Sequence, residues 1–227
     1  MKKVIVISLG GSLIIPEEIN VKFLKEFKKV ILKNTKTHKF VIVCGGGKTA
    51  RKYISALGKF TQDKKILSFL GLSSTTLNAF LVSAVFGQDP SKINYENKFL
   101  KKQLETKDII FDTGTGYRPN ATSDWAAAEI AKQLKAEFIN LTNVSGLYDK
   151  NPMEYKNAKF IPKISWKEFD KHAQKIKYQP GMHFVLDPTA SKVIMKNKIP
   201  TYIIGKNLKN LDSFLKGKKF KATTISG

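Results

Sequence analysis

Apolar runs of strand length, each closing on glycine or small polar residues, alternate along this chain with stretches of helical pattern. Such alternation calls for a mostly parallel sheet, because parallel neighbours need helical crossovers and bury both faces of every strand. The strand runs are Lys3 to Leu9, FVIVC (Phe40 to Cys44), DIIFDTG (Asp108 to Gly114), the start of EFINLTNVSGLY (Glu137 to Tyr148) and PTYIIG (Pro200 to Gly205). Helices are expected from about Glu17 to Asn34, Lys48 to Leu57, Lys64 to Val85, Ser123 to Leu134, Trp166 to Lys175 and Pro188 to Lys198. Pro16 suits the first turn of the first of these. The stretch Gln88 to Lys107 is less regular and reads as one short strand and one helix. A short helix and an edge strand at Ala222 to Ile225 close the chain. The fold class is α/β, a three-layer αβα sandwich, and 227 residues fit a single domain of two closely joined lobes.

Composition removes several function classes. The one cysteine, Cys44, ends an apolar run and reads as a small core residue, so no intramolecular disulfide forms. The N-terminal apolar stretch has no small-residue cleavage site after it and reads as a buried strand. No continuous run reaches the roughly 18 apolar residues of a spanning helix, so no membrane association and a cytoplasmic location are expected. The net charge of +22 raises the question of nucleic acid. The lysines are spread along predicted helix faces, however, with no arginine-rich tract and no zinc-ligand spacing. Weak attraction to polyanions follows from that charge, and no specific nucleic-acid partner is expected. Only two of the 40 basic residues are arginine, Arg51 and Arg118, and each lies beside a glycine-containing loop. Arginine's planar fork pairs two phosphate oxygens at once, which a lysine does not.

Ligands of open parallel sheets bind beyond the carboxyl ends of the strands. Four such ends here carry loop-forming, phosphate-competent residues: Gly10-Gly11-Ser12, Gly45-Gly46-Gly47, Gly114-Thr115-Gly116 with Thr122, and Thr142-Asn143. All four are expected on one edge of the sheet. The triplet is the strongest signal, since three glycines are entropically costly unless the backbone wraps closely around something before starting a helix. The N-terminus of that helix offers free N–H groups to an anion, and Arg51 lies one turn in. Thr122, Ser123 or Asp124 caps the helix after the third loop. No His/Cys/Asp metal cluster and no nucleophile–His–acid set is visible. Phosphoryl transfer needs neither: backbone donors, cations and Mg²⁺ suffice.

In order and spacing these loops resemble the amino-acid kinase family, and within it the archaeal-type uridylate kinases. GGS at Gly10 to Ser12, GGGKTAR at Gly45 to Arg51, LNA at Leu77 to Ala79, TNVSGLYDKNP at Thr142 to Pro152, DPTASK at Asp187 to Lys192 and TTI at Thr223 to Ile225 carry the likeness. The resemblance implies transfer of the ATP γ-phosphate to UMP with Mg²⁺, in a homohexamer. It implies an acceptor-binding lobe over about 1–135 and an ATP-binding lobe over about 136–227. ATP contacts would fall on Gly11, Ser12, Gly47, Arg51, Thr142, Asn143, Tyr148 and Asn151, with Arg51, Gly11 and Gly47 catalytic. UMP contacts would fall on Gly46, Ser68 and the loop Tyr117, Arg118, Pro119, Asn120, Ala121, Thr122 and Ser123. The chain departs from the family pattern in several places. Ser8 stands where many members have lysine, and Ser68 where an acidic residue usually helps hold the acceptor. Asn120 falls in the usual PGxxT, Ser145 in the usual VDG, and Asn151 replaces an aspartate. The alternatives are a same-family kinase acting on another small acceptor such as isopentenyl phosphate, and a nucleotide-binding protein without turnover.

Overall fold

The computed structural model describes every residue except 1, 94–98, 115, 120, 151, 153–154 and 176–186. Among the described residues the strands are β1 (Lys3–Leu9), β2 (His38–Cys44), β3 (Ile109–Asp112), β4 (Glu137–Leu141), β5 (Leu147–Tyr148), β6 (Phe160–Ile161), β7 (Lys163–Ile164), β8 (Thr201–Ile204) and β9 (Thr223–Ile225). Seven of them form one sheet in the order β3-β2-β1-β4-β8-β9-β7, and β5 and β6 form a separate hairpin. From β3 to β8 every pairing is parallel. β9 runs antiparallel to β8, and β7 joins the far edge.

Helices cover both faces, and strand alternation decides what each covers. Ile5, Ile7 and Leu9 of β1 point to one side. There they meet α1 (Gly11–Ile14), α2 (Val21–Asn34), α4 (Lys64–Val85) and α9 (Leu208–Leu215) through residues such as Leu13, Phe27, Val82 and Leu211. Val6 points to the other side. That layer holds α5 (Leu100–Thr106), α6 (Ser123–Leu134), α7 (Trp166–Ala173) and α8 (Pro188–Asn197). Its contacts use Leu104, Trp125, Ile130, Phe169 and Ile194. The run of small residues Ala126, Ala127, Ala128 and Ala131 lets α6 lie close against the sheet. α3 (Gly47–Leu57) packs on α4 beside the strand ends, through Ala50, Ile54 and Leu67.

Three details differ from the pattern of the sequence. α2 begins at Val21 and not near Glu17, because the Asn20 side chain caps it by accepting from the Phe23 N–H at 3.1 Å. The stretch 88–107 holds a 3₁₀ turn (Pro90–Lys92) and α5, and no strand among its described residues. α4 is also long and apolar enough to cross a membrane, with 22 residues and a mean hydropathy of 1.5 over its most apolar window. Its serines, threonines and asparagine interrupt the apolar run that a reading of continuous stretches looks for.

The order of the sheet places the site. Chain connection runs outward from β1 through β2 to β3 on one side, and through β4 to β8 on the other. The reversal between β1 and β4 is where ligands of open α/β sheets bind. Leu9 is level with Cys44 and Leu141 across the three central strands, so their following loops leave the sheet at one height.

Candidate active site

The ends of β1, β2, β3 and β4 open on one cavity. Its base is two glycine loops laid backbone against backbone. A Cβ on Gly11 would lie 2.0 Å from the Gly47 nitrogen, and one on Gly45 would lie 2.6 Å from the Gly11 nitrogen. Gly47 has φ +64°, a backbone region that side chains disfavour, and it opens α3 with no side-chain cap. The glycines are thus required first by each other. Closeness of the loops then brings the N-terminus of α3 and the turn after β1 to one spot, where a helix start favours phosphate oxygens. Asn78, 1 % exposed on α4, supports this from behind by donating its Nδ2 to the Gly45 carbonyl at 2.7 Å.

Asp124 brings a carboxyl to the cavity, backed by Ser8 and Asp187. Ser8, on the α6 side of β1, donates from Oγ to Asp124 Oδ1 at 2.6 Å. Burial pushes the Asp124 carboxyl up to about 7, the neighbouring Asp187 charge adds to this, and bonds from Ser8 and Asn140 pull the other way. Asp187 is fully buried and ties two elements together. Its Oδ1 accepts from Ala190 N at 2.6 Å, capping α8, while its Oδ2 accepts from the N–H (3.3 Å) and hydroxyl of Thr122. Thr122 in turn caps α6, accepting from Asp124 N at 3.1 Å.

One wall is the loop between β3 and α6. Asp112 anchors its start, with Oδ1 accepting from Gly114 N at 2.7 Å; burial pushes this carboxyl up to about 6 against that bond. Tyr117 and Arg118 face both this cavity and a shallower groove on the outer side of the loop. The Arg118 guanidinium lies 4.7 Å above the Trp125 ring. Neither arginine has a carboxylate partner among the described residues, whereas Lys2, Lys3, Lys48, Lys132 and Lys216 are each paired. Arg51 reaches the cavity from the first turns of α3.

Of the residues expected to meet nucleotides, Gly11, Ser12, Gly46, Gly47, Arg51, Ser68, Tyr117, Arg118, Ala121, Thr122, Ser123 and Thr142 line this cavity. The Ser12 hydroxyl is buried there without a partner. Three do not line it. Pro119 faces only the outer groove, Asn143 is exposed, and Tyr148 packs edge-on against Phe160 with ring centres 5.5 Å apart. Asn120 and Asn151 lie outside the described residues. Sequence reasoning missed the support layer of Ser8, Asn78, Asp112 and Asp187. For two of these a signal existed: Asn78 is the centre of LNA, and Asp187 opens DPTASK as an Asp-Pro helix start.

Comparison with known proteins gives the same picture. The amino acid kinase family model matches residues 3–205. A uridylate kinase of Thermococcus kodakarensis is 34% identical over 218 residues, covering 94% of this chain and 96% of the relative. One from Thermoplasma acidophilum is 32% identical over 227 residues, covering 99% and 97%. The crystal structure of uridylate kinase from Archaeoglobus fulgidus superposes with a TM-score of 0.82 at 28% identity, covering all of both chains.

Proposed function

The chain belongs to the amino acid kinase family, and from that membership we propose that it is a uridylate kinase, passing the γ-phosphate of ATP to UMP to give ADP and UDP. Its full-length likeness to archaeal uridylate kinases supports the acceptor. The observation that carries the reaction type is the back-to-back packing of the two glycine loops, with Arg51 reaching the same cavity.

In this reading a phosphate oxygen of UMP attacks the γ-phosphorus in line and ADP leaves. The Gly11 and Gly47 loops and Arg51 hold the three oxygens of the transferred group, where charge is greatest at the transition state. Ser12 and Thr142 bind the ATP side. Gly46, Ser68 and the Tyr117–Ser123 loop hold UMP, with Arg118 available to its phosphate. Holding both nucleotides at one spot supplies most of what such a transfer needs.

No group of three or more His, Cys, Asp or Glu among the described residues forms a ready cation site. Asp124 fits a cation that arrives on the ATP phosphates: it lines the cavity, and burial, with the neighbouring Asp187 charge, disfavours its ionisation until positive charge is near. Asp124 would help hold such a Mg²⁺, which would supply positive charge against the phosphate oxygens during transfer.

The proposal extends to a cytoplasmic homo-oligomer, a hexamer. The α3–α4 side supports assembly, since Tyr53, Phe60, Ile66 and Leu77 are all about half exposed or more.

ADP release from ATP, measured with UMP, CMP, isopentenyl phosphate or N-acetylglutamate, tests the reading. UMP-dependent turnover is expected. Turnover with another acceptor alone would reassign the substrate. Tight ATP binding without turnover on any of them would leave a nucleotide-binding protein.

A further inference from the structure

The described residues of the β3–α6 loop include two glycines and form one wall of the cavity. Gly114 and Gly116 both have positive φ, at +87° and +77°, and a Cβ on Gly116 would meet nothing within 4 Å. The start of the loop is tied by Asp112 to Gly114, and its end by Asp187 to Thr122. Between these ties the described residues offer little from the backbone, a single 3.3 Å bond from Ala121 N to the Arg118 carbonyl. The tip is instead held by side chains. Arg118 rests on Trp125 of the helix that follows, a contact within the same segment. Tyr117 reaches across to α4, where its ring stacks on Phe69 with centroids 5.4 Å apart and planes 21° from parallel.

Phe69 does not line the cavity. Ser68, Gly71, Leu72 and Thr75 do, at spacings that put them on one stripe of α4. Phe69 is one residue round from that stripe and 47% exposed. Its ring is placed to back Tyr117, which does line the cavity.

We propose that Phe69 is a positioning residue for acceptor recognition: its ring holds Tyr117, and through it the loop tip, in the place that receives the nucleoside of the acceptor. This rests on the uridylate kinase reading above. A preset wall spares the acceptor the entropy of ordering the loop on binding. The stack therefore appears in acceptor affinity and not in the chemical step.

The test is steady-state kinetics of the full chain with ATP and UMP for wild type, Phe69→Ala, Phe69→Trp, Tyr117→Ala and the double variant, with the mass of each followed by light scattering. For Phe69→Ala the KM for UMP should rise about 3- to 10-fold, the scale of one aromatic pair. Its kcat and its KM for ATP should stay within about twofold. Phe69→Trp, which keeps a stacking face, should restore the KM. In the Tyr117→Ala background, removing Phe69 should add nothing further, because the two act as one unit. An unchanged KM for UMP in Phe69→Ala would overturn the proposal, as would a parallel rise in both KM values, which marks general damage. A KM that returns to normal at higher enzyme concentration would assign the effect to assembly and overturn it equally. If wild type turns over no UMP at all, the functional reading fails instead, and the two failures are told apart in the first measurement.

Discussion

The two halves of the cavity are built in opposite ways. In the half we propose for the donor, the Gly10–Ser12 loop touches the glycine triplet through main chain, with no side chain between Gly11 and Gly47. In the half we propose for the acceptor, the β3–α6 loop is held by side chains: Asp187 at the start of α8, Phe69 from α4, and Asp112 at the strand end. Backbone packing tolerates no added atom, so the donor half is rigid and its sequence is constrained residue by residue. Side-chain tethers are worth about a kilocalorie each and can be exchanged, so the loop they hold is less constrained in sequence than the glycine pair.

The largest effect that would break this contrast is at Gly11. In Gly11→Ala the new methyl lies 2.0 Å from the Gly47 nitrogen, and the atoms it meets are backbone with no freedom to swing away. Loss of more than about 3 kcal/mol of stability is expected, with turnover abolished. Thermal unfolding and an ADP-release assay would show it. A variant of normal stability and activity would mean that the two loops are not in contact. Next comes Arg51→Ala, where kcat should fall by about 10²-fold or more, the scale of losing one charge donor at the transition state. Its melting temperature should hardly move, since Arg51 has no ion-pair partner among the described residues. Equal losses in stability and rate would give Arg51 a structural part.

Asn78→Ala sharpens the comparison from the second layer. It leaves the Gly45 carbonyl without its buried donor, and a cost of about 1–3 kcal/mol is expected in unfolding experiments. Asn78→Asp should cost at least as much, because a carboxylate offers no N–H to that carbonyl.

The same contrast explains what could be read from the sequence. The four strand-end loops, the parallel sheet and most helices followed from local requirements: a glycine where a Cβ does not fit, a buried strand where residues are apolar on both faces. Ser12, Thr142 and Arg51 were found because they sit inside those loops. Phe69, Asp112 and Asp187 were not, since each acts on a partner whose proximity only the fold creates; Asp187 and Thr122 are 65 positions apart. The start of α2 was misplaced because Pro16 favours a first turn, and the Asn20 cap competed successfully with it. Tyr148, expected among the ATP contacts, packs edge-on against Phe160 in the β5–β6 hairpin, a pairing made by residues 12 positions apart.

The smallest expected effect probes the tether at the start of the acceptor loop through pH. Burial raises the Asp112 carboxyl from an ordinary 3.8 to about 6. A group whose folded value is raised contributes stability that is fully present below its unfolded value and is lost as pH rises through the folded one. For Asp112 that window runs from about pH 4 to pH 6, where the unfolded chain has given up a proton that the buried carboxyl still holds. Asp112→Asn removes the titration and keeps an oxygen that can accept from Gly114 N–H. Its melting temperature relative to wild type should therefore climb between pH 4 and pH 7, by roughly 2–4 °C for each kilocalorie of the ionisation cost. Asp124 titrates in both proteins and cancels in the difference. A gap that stays constant over this range would show that the carboxyl of Asp112 is not held out of water, and the tether would then be no more secure than an ordinary surface turn.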